Sequence, residues 1–271
     1  MSMISKHDFL EKIKAGMSLK NYDLSGLALH NEKLMNSNLR GLYLVRVILN
    51  GANLRGAKLS GANLSEANLI GAELDNADLS KAKLHKANLG RAELNRADLS
   101  GADLKRANLC SARAMRADLS KADMSESNLK KAFLQAAILR HANLRKCYLN
   151  EANLKNADLR GANLSDANLS NADCSGADFS EADLSRATFA HSNLKGAKFK
   201  GAIMQGTILS DADLSEAKLT GVDMTSVLLH RTKLHKYDLV GVRYSSEQLT
   251  EMIVLSSYEV KKPFQVTPKC F

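Results

Sequence analysis

A five-residue period runs through most of this chain and limits what the chain can fold into. From Leu24 to Leu239, every fifth residue falls in one frame of 44 central positions, of which 36 are leucine. Two residues before the central position, 30 of the 44 residues are alanine. A period of five matches neither an α-helix nor a β-strand, so the pattern predicts internal repetition instead of an ordinary globular core.

The repeat is compatible with a backbone that turns a corner every five residues. Side chains of Ala and Leu, two residues apart, point the same way and can both be buried. The residues between them and the next Ala are polar or glycine, which suits solvated corners. Four corners would close a coil of about 20 residues, and the 44 units would stack into about 11 coils, a rod roughly 50 Å long.

Units such as Ala52-Asn53-Leu54, Ala77-Asp78-Leu79 and Ala212-Asp213-Leu214 closely resemble those of the pentapeptide-repeat family. The resemblance covers residues 22–244 and implies an all-β fold, a right-handed quadrilateral β-helix. We expect residues 1–16 to form an N-terminal capping helix and residues 17–244 to form the solenoid. Residues 245–271 are expected to form a second capping helix, from Ser246 to about Tyr258, followed by a tail.

A coil of 20 residues predicts which side chains stack along the rod. One column holds Asn68, Asn88, Asn108 and Asn128, and stacked asparagines can bond to one another. Inside the rod, Phe179 and Phe199 should stack, with Phe189 facing them from the opposite wall. Glu32 is the exception among the inward positions of the first coils, because a carboxylate there needs a partner.

In the middle of the chain, Phe133, Ile138 and Tyr148 place an apolar side chain where Asn or Asp is usual. Together with Met115 they are predicted to form an exposed apolar patch that binds a partner protein. Isolated exposed apolar residues are common on protein surfaces, so the alternative is ordinary surface variation.

Positive charge is concentrated in the middle of the chain. The net charge is +9, and residues 81–160 hold 17 Lys or Arg against 8 Asp or Glu. This basic band is a candidate site for nucleic acid or another acidic surface. Its members are Lys83, Lys86, Lys105, Arg106, Arg113, Arg116, Lys130, Lys131, Arg145 and Lys146.

The sequence shows no nucleophile with a base, no phosphate-binding loop and no paired carboxylates, so we expect no enzyme activity, no cofactor and no metal site. The four cysteines are scattered, and Cys147 and Cys174 occupy buried repeat positions, which argues against disulfides. With no secretory h-region and no apolar run long enough for a membrane span, a cytoplasmic protein is expected; export without a cleavable signal peptide is left open.

Three functions fit these features. The first is a non-enzymatic scaffold that binds a protein partner, and the resemblance extends to bacterial secreted effectors and secretion-associated proteins. The second is a DNA mimic that binds DNA gyrase or another topoisomerase, as in quinolone-resistance members, although those are acidic overall. The third is polyanion binding through the basic band. The resemblance also leaves two oligomeric states open, a monomer and an end-to-end homodimer through the C-terminal coil.

Overall fold

The computed structural model describes residues 2–20 and 22–255. Regular elements lie only near the two ends of this part of the chain. In chain order they are β1 (Ser2–Met3), α1 (Lys6–Lys14), β2 (Tyr22–Asp23), β3 (Lys233–His235), a 3-10 helix (Lys236–Leu239), α2 (Ser246–Glu251) and β4 (Ile253–Leu255). Among the described residues, no helix is long and apolar enough to cross a membrane.

Between β2 and β3 the chain forms a coil with four pentapeptides in each turn. Parallel bridges join residues 20 positions apart, from Ala28 with Ile48 through to Asp223 with Arg243. β1 pairs with β2, and β3 with β4, in the same register. The bridging residues immediately precede the central residue of each unit. They form four columns along the rod, a quarter of a coil apart, and the predicted asparagine column is confirmed as one of them.

Nearly every backbone N–H of a repeat unit has a partner. In residues 52–56 the first N–H closes a turn at 3.0 Å, and the second, third and fifth donate to carbonyl groups of neighbouring coils at 2.7 to 3.0 Å. The fourth, from Arg55, has no main-chain acceptor and donates to Oδ1 of Asn53 at 3.2 Å. Asn or Asp before the central leucine therefore caps the one N–H that the coil leaves free.

The corners are turns whose third residue has a positive φ. Every residue at this position from Gly26 to Gly221 has φ between +55° and +81°. Positive φ at that position is the signature of a type II turn, which favours glycine or asparagine. Many corners nevertheless carry charged residues, such as Lys86 with φ +56° and Arg106 with φ +56°. The corners thus project long charged side chains at a backbone cost of about 1 to 2 kcal/mol for each residue that is not glycine.

The core is a narrow ladder of buried Leu and Ala side chains that follows the rod axis. Three phenylalanines replace Leu in the later coils, and their predicted arrangement is confirmed. The rings of Phe179 and Phe199 stack with centroids 5.3 Å apart and an interplanar angle of 10°. Phe189 meets Phe179 edge-on at 5.6 Å. Both arrangements are favourable for aromatic pairs.

Helix α1 lies over the first coil. Ser5 caps its N-terminus, accepting a hydrogen bond from the N–H of Asp8 at 3.1 Å. Phe9 is fully buried and packs against the core of the rod. The carboxylate of Glu32 finds its partner here, because Lys6 Nζ lies 2.5 Å from Glu32 Oε1. This ion pair adds to the packing of Phe9 as a contact between α1 and the first coil.

The C-terminal end differs from the sequence-based expectation. Helix α2 ends at Glu251 instead of continuing to Tyr258, and residues 253–255 form β4. Ile253 pairs with Lys233, so the 20-residue register continues past residue 244. The run Ile253-Val254-Leu255 favours a strand, and the edge of β3 provides its partner. Residues 256–271, including the predicted tail, lie outside the described residues.

Candidate protein-interaction surface

The four apolar residues predicted to form one patch lie on different sides of the rod. Five residues advance the chain by a quarter of a coil, so Phe133 and Ile138 occupy neighbouring columns. Tyr148 lies ten residues beyond Ile138, half a coil away. Met115 is at a corner of the coil below and is half-buried, as is Ile138. The expectation of a single patch is therefore wrong, because Tyr148 and Ile138 face opposite directions.

Tyr148 is the most exposed of the four, with 57% of its surface accessible. It continues the asparagine column, bridging Asn128 on one side and Asn168 on the other. Tyrosine combines a large apolar face with a polar tip at a low cost in conformational entropy, and it is enriched at protein interfaces. Tyr148 is thus the best-placed contact residue of the four.

The asparagines next to Tyr148 form a hydrogen-bonded ladder. Asn108 Nδ2 donates to Asn88 Oδ1 at 2.9 Å, and Asn128 Nδ2 donates to Asn108 Oδ1 at 3.2 Å. Each Oδ1 also accepts the N–H two residues further along, from Gly90, Cys110 and Lys130. These bonds hold the amide groups in one orientation along an uncharged strip. We call Asn68, Asn88, Asn108, Asn128 and Tyr148 the asparagine–tyrosine column.

Most of the basic band lies on the two corners that flank this column. The corner preceding the column carries five of its members, and the corner following it carries two. Arg91, which the sequence analysis did not include, adds an eighth exposed cation on the second corner. Over residues 85–151 these two corners hold eight Lys or Arg against Glu126 and Glu151. The cations are Lys86, Lys105, Arg106, Arg145 and Lys146 before the column, and Arg91, Lys130 and Lys131 after it.

The remaining three members of the band lie elsewhere. Lys83 is in the column before the first corner and Arg113 is in the column of Phe133. Arg116 lies at a corner on the far side of that column, with φ +58°. The basic band is therefore not continuous around the rod, and its dense part faces the same way as Tyr148.

Several flanking cations already form ion pairs with nearby carboxylates. Arg106 Nε lies 2.9 Å from Glu126 Oε2, and Lys130 and Lys131 share Glu151 at 3.4 and 3.2 Å. Hydrogen bonding to Lys131 is the main cause that holds the pKa of Glu151 below its usual value. Exposed pairs of this kind contribute about 0 to 1 kcal/mol, so an incoming acidic group can replace the intramolecular carboxylate.

Phe133 has a different environment from Tyr148. Its side chain is 38% exposed, and the guanidinium of Arg113 lies over its ring, 5.4 Å from the centroid. Arg113 also pairs with Glu93 at 3.1 Å. A cation over an aromatic face is attractive by about 0.5 to 1 kcal/mol at exposed sites. Phe133 is thus partly engaged within the chain.

No group of three His, Cys, Asp or Glu residues among the described positions is arranged to hold a metal ion. Cys147 and Cys174 are buried, as their repeat positions predict, and Cys110 is half-buried. Burial raises the pKa of the Cys147 thiol to about 11, and its Sγ donates to the carbonyl of Met124 at 2.8 Å. The thiol next to Tyr148 is therefore a core group and not a reactive one.

Comparison with known proteins agrees with this geometry. The family model for pentapeptide repeats matches eight copies between residues 33 and 243. The chain belongs to the pentapeptide-repeat family. No curated protein sequence matches the chain significantly.

Two solved pentapeptide-repeat structures match most of this chain. HetL, involved in heterocyst differentiation regulation in the cyanobacterium Nostoc sp. strain PCC 7120, is 30% identical over 84% of this chain and 96% of its own, with a TM-score of 0.47. QnrB1, a plasmid-mediated fluoroquinolone resistance protein, is 22% identical over 85% and 98%, with a TM-score of 0.56. Membership of the family and the likeness to QnrB1 show that the fold is a right-handed β-helix.

Within this pentapeptide-repeat protein, Tyr148 and Phe133 depart from the residue that the coil itself favours. The N–H groups of Asn150 and Gln135, which an Asn or Asp would cap, have no hydrogen-bond partner in the part of the chain that the structure describes. Replacing a capping residue by an aromatic one gives up a hydrogen bond that most other units retain. The repeat itself therefore does not account for the aromatic residues at these two positions.

Proposed function

We propose that this chain is a non-enzymatic scaffold that binds a partner protein through the asparagine–tyrosine column and its flanking cations. The proposal includes a four-sided rod of about 11 coils, closed by α1 at one end and α2 at the other. The exposed aromatic side chain of Tyr148 at the end of a hydrogen-bonded amide ladder is the observation that carries it.

The backbone supports this role because it holds side chains at fixed intervals. From residue 52 to residue 196, neighbouring coils are joined at every unit by three main-chain hydrogen bonds, so the positions of the column side chains vary little. A rigid surface binds a partner without a large cost of ordering. The flanking cations would steer and orient an acidic partner, while Tyr148 would fill an apolar pocket on it.

The substitution Tyr148→Asn tests this proposal without disturbing the coil, because Asn is the residue that the repeat itself uses at this position. The matched control is Phe133→Asn, which makes the same kind of change in the neighbouring column of the rod. Crosslinking pull-downs from bacterial lysate would compare both variants with the wild type. A protein captured by the wild type and by Phe133→Asn, but lost with Tyr148→Asn, is the expected result.

Polyanion binding is the second candidate, and the clustering of eight cations around one column favours it. It predicts affinity that falls steeply as salt increases, because each phosphate contact releases counterions. The charge reversals Lys86→Glu and Lys146→Glu would reduce that binding, whereas Tyr148→Asn would leave it unchanged. A flat salt response would remove this candidate.

A DNA mimic directed at gyrase needs acidic columns, and one is present. Asp78, Asp98 and Asp118 stack along the side opposite the asparagine column. The column is then interrupted by Ile138, and Arg40 pairs with Asp78 at 3.3 Å. A supercoiling assay that shows neither inhibition of gyrase nor protection from quinolones would exclude this function.

A further inference from the structure

A groove at the N-terminal end of the rod is separate from the asparagine–tyrosine column. It lies between residues 13–20, which end helix α1 and lead into the solenoid, and residues 33–42 of the first coil. The groove holds about 1020 Å³. The helix that forms one side of the groove is attached to the rod by Phe9, which is buried in the core, and by the ion pair of Lys6 with Glu32.

The coil wall of this groove is an open β-edge. In the next coil, the N–H of Asn53 donates to the carbonyl of Glu32 below it at 2.8 Å. Lys33 and Asn38 occupy the same repeat position as Asn53, one coil earlier, where no further coil lies beneath them. Their N–H and C=O groups have no main-chain partner among residues 2–20 and 22–255. The upper edge of the same segment is paired, since the N–H of Leu34 donates to Asn53 at 2.7 Å.

The groove is also basic. Its lining includes Lys14, Lys20, Lys33 and Arg40, and no Asp or Glu. Two of these cations pair with carboxylates outside the lining, Lys14 with Glu11 at 3.0 Å and Arg40 with Asp78 at 3.3 Å. Exposed apolar side chains complete the surface: Met17 and Met35 are 59% and 52% accessible. An occupant that satisfies this lining must supply main-chain donors and acceptors, negative charge and some apolar side chains together.

We propose that the groove binds an extended acidic segment of a partner protein, which pairs as a short strand with the open edge at Lys33. Addition to an exposed sheet edge derives affinity from main-chain hydrogen bonds and specificity from alternate side chains. A segment that alternates acidic and apolar residues places its carboxylates near the lysines and its apolar side chains against Met17 and Met35. The site is independent of the asparagine–tyrosine column.

The probe is a ten-residue blocked peptide that alternates glutamate and valine, titrated into the full chain by calorimetry. Lys33→Glu should weaken its binding by about tenfold or more, which corresponds to 1.4 kcal/mol. The matched control is Lys83→Glu, which reverses an exposed lysine at the same repeat position in the middle of the rod. It should leave the affinity within about twofold of the wild type.

A second variant tests the main-chain pairing. Lys33→Pro removes an N–H that makes no bond within the chain, and proline is tolerated on an open strand edge. It should abolish peptide binding while the thermal unfolding midpoint stays near that of the wild type. In the wild type, the bound peptide should slow amide hydrogen exchange at Lys33.

Four outcomes would overturn the proposal. The first is no saturable binding of the peptide, and the second is an equal loss of affinity in Lys33→Glu and Lys83→Glu. The third is equally tight binding of a ten-residue polyglutamate without amide protection, which would indicate a site for anions in general. The fourth is self-association that Lys33→Pro abolishes, which would assign the edge to a second copy. Since Tyr148→Asn does not touch this groove, failure here leaves the proposed function standing.

Discussion

Asn108 donates its side-chain amide to Oδ1 of Asn88, one coil below, at 2.9 Å, while its own Oδ1 caps the N–H of Cys110 at 3.1 Å. A single side chain thus links two coils and closes its own turn. The capping part of this role, which Asp shares, explains why Asn and Asp recur before the central leucine.

The double role predicts the cost of removing the side chain. Asn108→Ala should lower the free energy of unfolding by about 1 to 3 kcal/mol, because it deletes the cap and the amide bonds of the ladder. Asn108→Asp keeps an oxygen for the cap and loses only the amide donor, so its effect should be smaller. Urea unfolding of the three proteins measures the difference. Equal stability of Asn108→Ala and the wild type would contradict the capping role.

At Tyr148 the same reasoning predicts a gain in stability. Tyr148→Asn supplies the missing cap to the N–H of Asn150 and should raise the free energy of unfolding by about 0.5 to 1.5 kcal/mol. Phe133→Asn should gain less, because it also gives up the contact with Arg113. Thermal unfolding checks both variants. A clear loss of stability in Tyr148→Asn would show that the tyrosine is structural, which would remove its interpretation as a contact residue.

The phenylalanine cluster should dominate the stability of the later coils. Phe199→Ala is expected to cost about 3 to 5 kcal/mol, because it leaves a cavity beside Phe179. Phe199→Leu restores the residue used in most coils and should cost less. Guanidinium unfolding is the measurement. Similar losses for both substitutions would indicate that the stacked pair itself, and not the filled volume, stabilises this region.

Asp158 predicts a dependence of stability on pH. Hydrogen bonding to Arg160, followed by that to Arg140, lowers its pKa from the ordinary value of 3.8 to about 2. Since the folded pKa is depressed, the stabilisation is present above the unfolded pKa and is lost as pH falls from about 4 to 2. The advantage of the wild type over Asp158→Asn, about 1 kcal/mol at pH 6 once solvent screening of this exposed cluster is allowed for, should therefore shrink as pH falls below 4 and vanish below pH 2. A difference that does not change with pH would contradict this assignment.

The 20-residue register could be predicted because every unit repeats the same local solution. Ala and Leu supply the core, and Asn or Asp supplies the cap, so the residues of each pentapeptide determine its own corner. The buried positions of Cys147 and Phe199 follow from the same frame. The distribution of Phe133, Ile138 and Tyr148 around the rod could also have been predicted, since each step of five residues is a quarter turn.

What the sequence did not predict depends on contacts distant along the chain. Leu249, Met252 and Ile253 have a helical spacing, yet Ile253 belongs to a strand because the edge of β3 is available to it. Arg91 joins the flanking cations only once the coil places it on the same corner as Lys131, two coils away. The open edge at Lys33 could not be predicted without knowing that α1 packs against the core and does not pair with this edge.

The most direct test of the proposed function is the nuclease-treated crosslinking pull-down with the wild type, Tyr148→Asn and Phe133→Asn. The account predicts one protein that is captured by the wild type and by Phe133→Asn and is lost with Tyr148→Asn, although the latter is at least as stable. Equal capture of that protein by all three chains would contradict a protein-binding role for the asparagine–tyrosine column. Recovery of nucleic acid alone from a parallel sample without nuclease would contradict it as well.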